Sequence, residues 1–410
     1  MSDEHKQILI LTSDAGHGHR SAANALREAL IQKHGESCKV EIVNPLDDAR
    51  TPTFLRESEE DYARLVRKAP EIYRLGYKAS DTEIPSMIIE NLLILALYEV
   101  MGEIVREHQP DVIVSTYPMY QGALRAYFDL NSVCVPLIVA ITDLVTVHRL
   151  WFETGVDLCL VPTAIVKDLA LENGLKEEKV RITGIPVSPK LANDQQSKKA
   201  LRKKLGWDAD LPAFLAVGGI HVDRLIQTLH VFNHFGLPLQ VAVTAGEDKD
   251  LLKQLNAIEW HIPQYVYGYV NNMAEMMLAA DAIICKAGGL VVTEALAGGL
   301  PIMLIDVIPG QEEGNRDFVV ENGAGVMVEK PMQVLEALAH WMKDEASGLK
   351  EAAKHARRIG RPNAALDAAD MIWDAALRGP GGNKPISELR RTRLIDLLTR
   401  NQIRWQGKTR

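Results

Sequence analysis

An aspartate, two histidines and an arginine crowd one glycine-containing turn, Asp14-Ala15-Gly16-His17-Gly18-His19-Arg20-Ser21. The turn follows an apolar run at 8–11 and opens a helical pattern at 21–33. Glycines let the backbone bend sharply and approach a ligand, and the helix start offers unpaired N–H groups. A histidine at such a strand end suits general-base work, because its ordinary pKa lies near neutrality. The alternative is that the histidines cap the helix or lie exposed. As a dinucleotide fingerprint the segment fails: Ser21 holds the third glycine position, and the second strand ends in Asn44 rather than an acidic residue.

A second group, Asp143, His148, Trp151 and Phe152, follows another apolar run at 137–141. The aspartate and histidine can orient a hydroxyl or each other, and the aromatic pair can line an apolar channel. The bland reading is a turn aspartate and a buried aromatic pair. A third and more specific group runs Cys285-Lys286-Ala287-Gly288-Gly289, then Thr293-Glu294, then Pro309-Gly310-Gln311-Glu312-Glu313-Gly314-Asn315. Strand, double-glycine turn and helix in that order can hold a diphosphate on the helix N-terminus. Glu294, one turn along, can accept from ribose hydroxyls, and Gln311 and Glu312 can meet sugar hydroxyls. Asp208-Ala209-Asp210 has the spacing of a metal clamp, but its polar surroundings favour a solvated turn.

These groups need strands to carry them. Apolar, β-branched runs at 8–11, 40–43, 111–115, 137–141, 158–161 and 180–182 alternate with helical patterns, including 84–108. After a polar stretch at 188–211, a second series follows at 214–217, 240–243, 265–267, 282–285 and 302–305. The alternation predicts an α/β chain of two Rossmann-like, doubly wound domains, with ligands at the carboxyl ends of the strands and a cleft between. The expected division is 1–190, 191–380 and a basic tail at 381–410.

The 410 residues are too many for one ordinary core. Lys plus Arg number 46 and Asp plus Glu 54, a net charge of −8 that argues against nucleic-acid binding. Four cysteines, Cys38, Cys134, Cys159 and Cys285, form no CxxC pair, so neither a zinc site nor a disulfide scaffold is expected. No signal peptide is read at the N-terminus, and the apolar stretch 87–101 is broken by Glu90, Asn91 and Glu99. Membrane contact is therefore expected to be peripheral. Two segments suit it. In 54–81 the aromatics Phe54, Tyr62, Tyr73 and Tyr77 alternate with Arg56, Arg64, Arg67, Lys68, Arg74 and Lys78. The tail at 386–410 carries a surplus of five positive charges among interleaved leucines, and reads either as an interfacial helix or as one folded back on the body.

The ordered motifs resemble the monogalactosyldiacylglycerol synthase and processive diacylglycerol glucosyltransferase family, and more distantly the lipid II-forming N-acetylglucosaminyltransferase. His19 matches the last position of the first-loop GGGH-type motif, and Asp143, His148, Trp151 and Phe152 match a TD…H…WF segment. Thr183 to Val187 match TGIPV; Gly268, Tyr269, Val270 and Met273 match an element that packs on uracil; and the KAGG…TEA…GLP…PGQExGN signature is nearly whole. The sequence departs from the family at His17, where a glycine is usual, at Gly218-Gly219-Ile220-His221, poorer in glycine than usual, and at Glu247-Asp248.

The resemblance implies an inverting GT-B glycosyltransferase that moves galactose or glucose from a UDP-sugar to diacylglycerol. His19 is the first choice of base and Asp143 the second, with His148 supporting the acceptor. Gly18, Arg20, Trp151 and Phe152 would bind the acceptor. The donor would be held by Gly218, Gly219, Gly246, Gly268, Tyr269, Val270, Met273, Lys286, Gly288, Gly289, Thr293, Glu294, Gln311, Glu312 and Asn315. UDP-galactose or UDP-glucose is then a co-substrate, no cofactor is tightly bound, and no metal is required. Diacylglycerol and anionic membrane lipids are the expected partners, on the inner, cytoplasmic face of the cell membrane. Alternatives are a polyprenol-linked acceptor, a UDP-N-acetylglucosamine 2-epimerase and a silent nucleotide-sugar sensor.

Overall fold

Ile8 and Ile10 point to one face of their strand and Leu9 and Leu11 to the other, and all four are fully buried. A strand buried on both sides needs helices on both sides, and parallel pairing supplies them through crossovers. The computed structural model describes residues 5–15, 18–58, 64–65, 70–193, 196–219, 222–379 and 388–403. It divides into two units, Met1–Pro186 with Asn363–Arg410, and Val187–Pro362.

In the first unit, β1 (Lys6–Leu11), β2 (Cys38–Val43), β3 (Val112–Ser115), β4 (Leu137–Ala140), β5 (Leu158–Val161) and β6 (Val180–Ile182) form a parallel sheet in the order β2-β1-β3-β4-β5-β6. Helices Glu83–His108 and Gln121–Asn131 cover one face with Leu97, Met101, Leu124 and Phe128. Helices Gly18–His34 and Ala364–Arg378 cover the other. The order reverses between β1 and β3, so the loops that follow them diverge and leave a crevice.

The second unit repeats the plan with β7 (Ala213–Val217), β8 (Gln240–Thr244), β9 (Gln264–Tyr267), β10 (Ala282–Lys286), β11 (Ile302–Asp306) and β12 (Gly325–Met327). Its order is β12-β11-β10-β7-β8-β9, again parallel throughout, with the reversal between β7 and β10. The strand β12 was not expected from sequence. Its three residues are too few to show a period, and a side chain at Gly325 would lie 2.1 Å from the Ile302 carbonyl oxygen. Only glycine lets that edge pair.

The expected boundary at 380 moves. Helix Ala364–Arg378 belongs to the first unit, because Ala365, Ala368, Ala369, Ile372 and Ala376 form a small-residue face against Ala25, Leu26 and Ala29. The tail also resolves. Helix Glu388–Arg400 buries Leu394 and Leu398 in the first unit's core, which is the folded-back reading and not the interfacial one. Tyr62, Arg67 and Lys68 of the aromatic–basic segment, and Arg404, Trp405, Lys408 and Arg410 of the tail, lie outside the described residues.

Candidate active site

Three strand ends converge on His19, in the first turn of helix Gly18–His34. Its Nδ1 lies 2.9 Å from the carbonyl oxygen of Thr116, just past β3, and 2.7 Å from Oγ1 of Thr142, just past β4. A carbonyl only accepts, so the proton sits on Nδ1 and the Nε2 lone pair is the free basic site. Burial lowers the pKa of His19 to about 4, with the Thr116 carbonyl opposing. The ring is therefore neutral and able to accept a proton across the physiological range. Tyr117 meets it edge-on, with centroids 4.8 Å apart.

Asp143 is not the second group on this histidine. Its Oδ2 accepts the indole N–H of Trp151 at 2.7 Å, and the Trp151 ring lies 6.2 Å from His19. Thr142, one residue earlier, takes the place beside Nδ1. Trp151 and Phe152 are buried, so the aromatic pair is in part core. His148 departs from its expected role in acceptor binding. It is 8% exposed, and both ring nitrogens are occupied: Nδ1 accepts from Leu150 N at 3.2 Å, and Nε2 donates to Ser80 Oγ at 3.2 Å. Burial also lowers its pKa. His148 thus ties helix Pro70–Ser80 to the 142–152 loop. Arg20 is held in a two-pronged pair with Asp14, Nε to Oδ1 at 2.7 Å and Nη2 to Oδ2 at 2.9 Å. Gly18 begins the helix, while Gly16 and His17 lie outside the described residues.

In the second unit the expected donor residues stand at the carboxyl ends of four strands. Gly218 and Gly219 follow β7, Gly246 follows β8, Gly268, Tyr269 and Val270 follow β9, and Gly288 and Gly289 follow β10. Gly218 N donates to Thr244 O at 2.8 Å, and an added Cβ would sit 2.9 Å from that oxygen, so this close approach excludes any side chain. Tyr269 is 73% exposed, and Met273 begins the helix Met273–Ala279. Gly288 is the N-cap of helix Gly289–Ala297, whose N–H groups open at the reversal point.

Burial raises the Glu294 pKa to about 7. Other members turn inward. Thr293 is buried, and its hydroxyl donates to Gly289 O at 2.7 Å. Glu312 is 4% exposed; one oxygen pairs with Lys286 and the other accepts Ile308 N at 3.0 Å. The β10–β11 pairing shifts register between Cys285 and Lys286, the latter being the residue that makes this pair. These groups therefore shape the loop, and neither Thr293 nor Glu312 has a side chain open to a sugar. Asn315 differs: its Nδ2 donates to Ala287 O at 2.9 Å, while its buried Oδ1 has no protein partner. A buried acceptor without a protein partner is suited to an ordered water or to a donor group brought by a ligand. Gln311 is half-buried on the same loop.

Asp208-Ala209-Asp210 is a turn, as its surroundings suggested. Asp208 Oδ1 accepts from Asp210 N and Leu211 N, and these bonds hold its carboxyl below the usual range, while Asp210 pairs with Lys199. Thr142, Thr116 and Ser80 are partners of the candidate residues that sequence reasoning missed, and Asp14, part of the first turn, carried no expected role. Of the three, only Thr142 had a signal, its place at a strand end beside Asp143.

Solved structures share this architecture. MurG from Acinetobacter baumannii superposes with a TM-score of 0.57 over 90% of this chain and 99% of its own, at 16% identity. S. aureus MnaA with UDP gives 0.59 over 92% and 99%, at 13% identity. Residues 197–361 match the model described as glycosyl transferases group 1. The chain is a glycosyltransferase of the GT-B fold.

Residues 19–187 match the model described as monogalactosyldiacylglycerol (MGDG) synthase. A probable monogalactosyldiacylglycerol synthase, chloroplastic, of Glycine max is 34% identical over 88% of this chain and 69% of its own length. Monogalactosyldiacylglycerol synthase 2, chloroplastic, of Arabidopsis thaliana is 34% identical over 92% and 82%. The chain belongs to the monogalactosyldiacylglycerol synthase family.

Proposed function

We propose that this protein transfers galactose from UDP-galactose to the free hydroxyl of diacylglycerol, with inversion, giving a β-galactosyl diacylglycerol. The observation that carries this reading is His19, with Nδ1 engaged by the Thr116 carbonyl and Nε2 free to take a proton. The acceptor hydroxyl gives its proton to Nε2 as its oxygen attacks C1 of the sugar. The C1–O bond to the diphosphate breaks, and UDP leaves with the electron pair. Backbone N–H groups at the start of helix Gly289–Ala297 suit the growing negative charge of a leaving diphosphate, and this reading calls on no metal for that step. The named relatives favour galactose over glucose and diacylglycerol over a polyprenol-linked acceptor.

The acceptor resides in a membrane, and the first unit presents an apolar face to meet it. Ile72 and Leu75 on helix Pro70–Ser80, and Ile84, Met87, Ile88 and Leu92 on helix Glu83–His108, are all more than half exposed. Lys78 on the first of these helices is an exposed cation that suits anionic lipid, as is Arg56 on helix Thr53–Arg56. Among the described residues no helix is long and apolar enough to cross a membrane, in keeping with peripheral attachment. The test is a product assay with diacylglycerol in anionic liposomes and either UDP-galactose or UDP-glucose, with and without EDTA. A β-galactolipid formed equally in EDTA is expected. A glucolipid alone would replace the sugar, and no glycolipid from either donor would sink the reading.

A further inference from the structure

Helix Glu388–Arg400 lies beyond both matched family models, yet it packs on helix Gln121–Asn131 in the first unit. Its Arg390 reaches two carboxylates, with Nε 3.4 Å from Asp129 Oδ2 and Nη2 3.6 Å from Glu153 Oε1. Those side chains are only 6% and 9% exposed. Asp129 has a second cation in Arg125 at 2.7 Å, whereas Glu153 otherwise accepts the Gly155 N–H at 2.8 Å.

Glu153 also walls a cavity of about 50 Å³ together with Glu90, Phe152 and Leu150, with Arg149 at its rim. Glu90 stands three residues beyond Met87, so the cavity opens beside the apolar face of the same helix. It shares the loop whose Trp151 lies 6.2 Å from His19. Burial and the Glu153 carboxylate raise the pKa of Glu90, and Arg390 opposes them. Without Arg390, the carboxylates of Asp129, Glu153 and Glu90 would lose a shared cation, and Arg125 would remain beside Asp129. Such a cluster separates or draws in water, because buried charge tolerates neither repulsion nor the loss of its partner.

We propose that Arg390 is a positioning residue for the lipid acceptor: by gathering Glu153 and its neighbours it holds the loop that carries Phe152 and sets Trp151 beside His19, where the acceptor hydroxyl must lie. The inference rests on the acceptor named under Proposed function. It gives a segment outside the family models a part in acceptor selection.

The test is steady-state kinetics of the full chain with dioctanoylglycerol in mixed micelles, varying acceptor and donor separately. Arg390→Gln should raise the acceptor KM about five- to tenfold and leave the donor KM unchanged. Adding Glu90→Gln should recover part of the loss, since one uncompensated charge is gone. An unchanged acceptor KM in Arg390→Gln overturns the inference. So does a double variant worse than the single one, with both KM values rising together, for that is general destabilisation. Should Arg390→Gln not fold, the double variant carries the comparison: an acceptor-selective rise supports the inference and an unselective one overturns it. Wild-type protein that makes no glycolipid overturns the functional reading and this inference with it.

Discussion

Asp143 holds Trp151, not His19: the indole N–H donates to Oδ2 across 2.7 Å, and Thr142 stands beside the imidazole instead. An aspartate beside the base would stabilise the imidazolium formed during proton transfer. A threonine hydroxyl cannot do so by charge, so the imidazole stays neutral. The carboxylate's effect is to fix an aromatic wall. Asp143→Asn keeps the shape but weakens a charge-assisted bond, and about 1.5 kcal/mol of it is roughly a tenfold loss in kcat/KM for the acceptor. UDP affinity, measured by calorimetry, should not change. A loss as deep as that of a His19 variant would make Asp143 part of the proton transfer.

His19→Ala should lower kcat about 10³-fold, within the span ordinarily removed with a general base. UDP binding should persist, since the donor residues stand on the second unit's strands. The pH profile has a definite sign. The base acts when neutral and its pKa is about 4, so kcat at saturating donor should be flat from pH 6 to 8 and fall only as pH drops toward 4. An acid limb near 6.5 would mean an imidazole that is not desolvated.

Much of this arrangement was legible in the residues. The strands at 8–11, 158–161 and 180–182 appear close to where apolar, β-branched runs placed them, because burial on both faces leaves a nearly unbroken signal. The position of His19 was legible too, as a strand end feeding a helix. What was not legible came from distant chain. Ser80 meets His148 across 68 residues, and helix Ala364–Arg378 returns to the first unit through small-residue packing that leaves no motif. Thr293 and Glu312 sat in the right signature, but whether a side chain faces a ligand or its own loop is decided by tertiary packing.

Glu294 should make donor binding depend on pH. A carboxylate accepts ribose hydroxyls better than a carboxylic acid does, and its pKa is about 7. The donor KM should therefore fall as pH rises from 6 to 8. In Glu294→Gln it should be raised about tenfold and lie flat with pH. A wild-type donor KM that does not move across this range would remove Glu294 from the ribose.

Glu312 and Lys286 form an enclosed pair in which Glu312 also accepts Ile308 N. Glu312→Gln keeps the hydrogen bond but leaves Lys286 without its counter-charge. Lys286 is 29% exposed, so water softens the loss to about 2 kcal/mol, below the cost of breaking a fully buried pair. Urea unfolding should show that decrease. A stability unchanged within error would mean that Lys286 turns out to solvent freely.

The apolar face on helix Glu83–His108 bears on where the reaction takes place. Ile84 and Ile88 stand one turn apart and are 67% and 51% exposed, so a large part of each side chain remains to be covered. Burying half of such a side chain contributes about 1 kcal/mol, and Ile84→Ser with Ile88→Ser removes both contributions. Co-sedimentation with anionic vesicles should weaken on the order of tenfold. Turnover of a short-chain acceptor in micelles should fall much less, because His19 is held by Thr116 and Thr142 and not by these side chains. Equal losses in both assays would assign the face to internal stability. A loss confined to vesicles would assign it to the bilayer, where the water-insoluble acceptor resides.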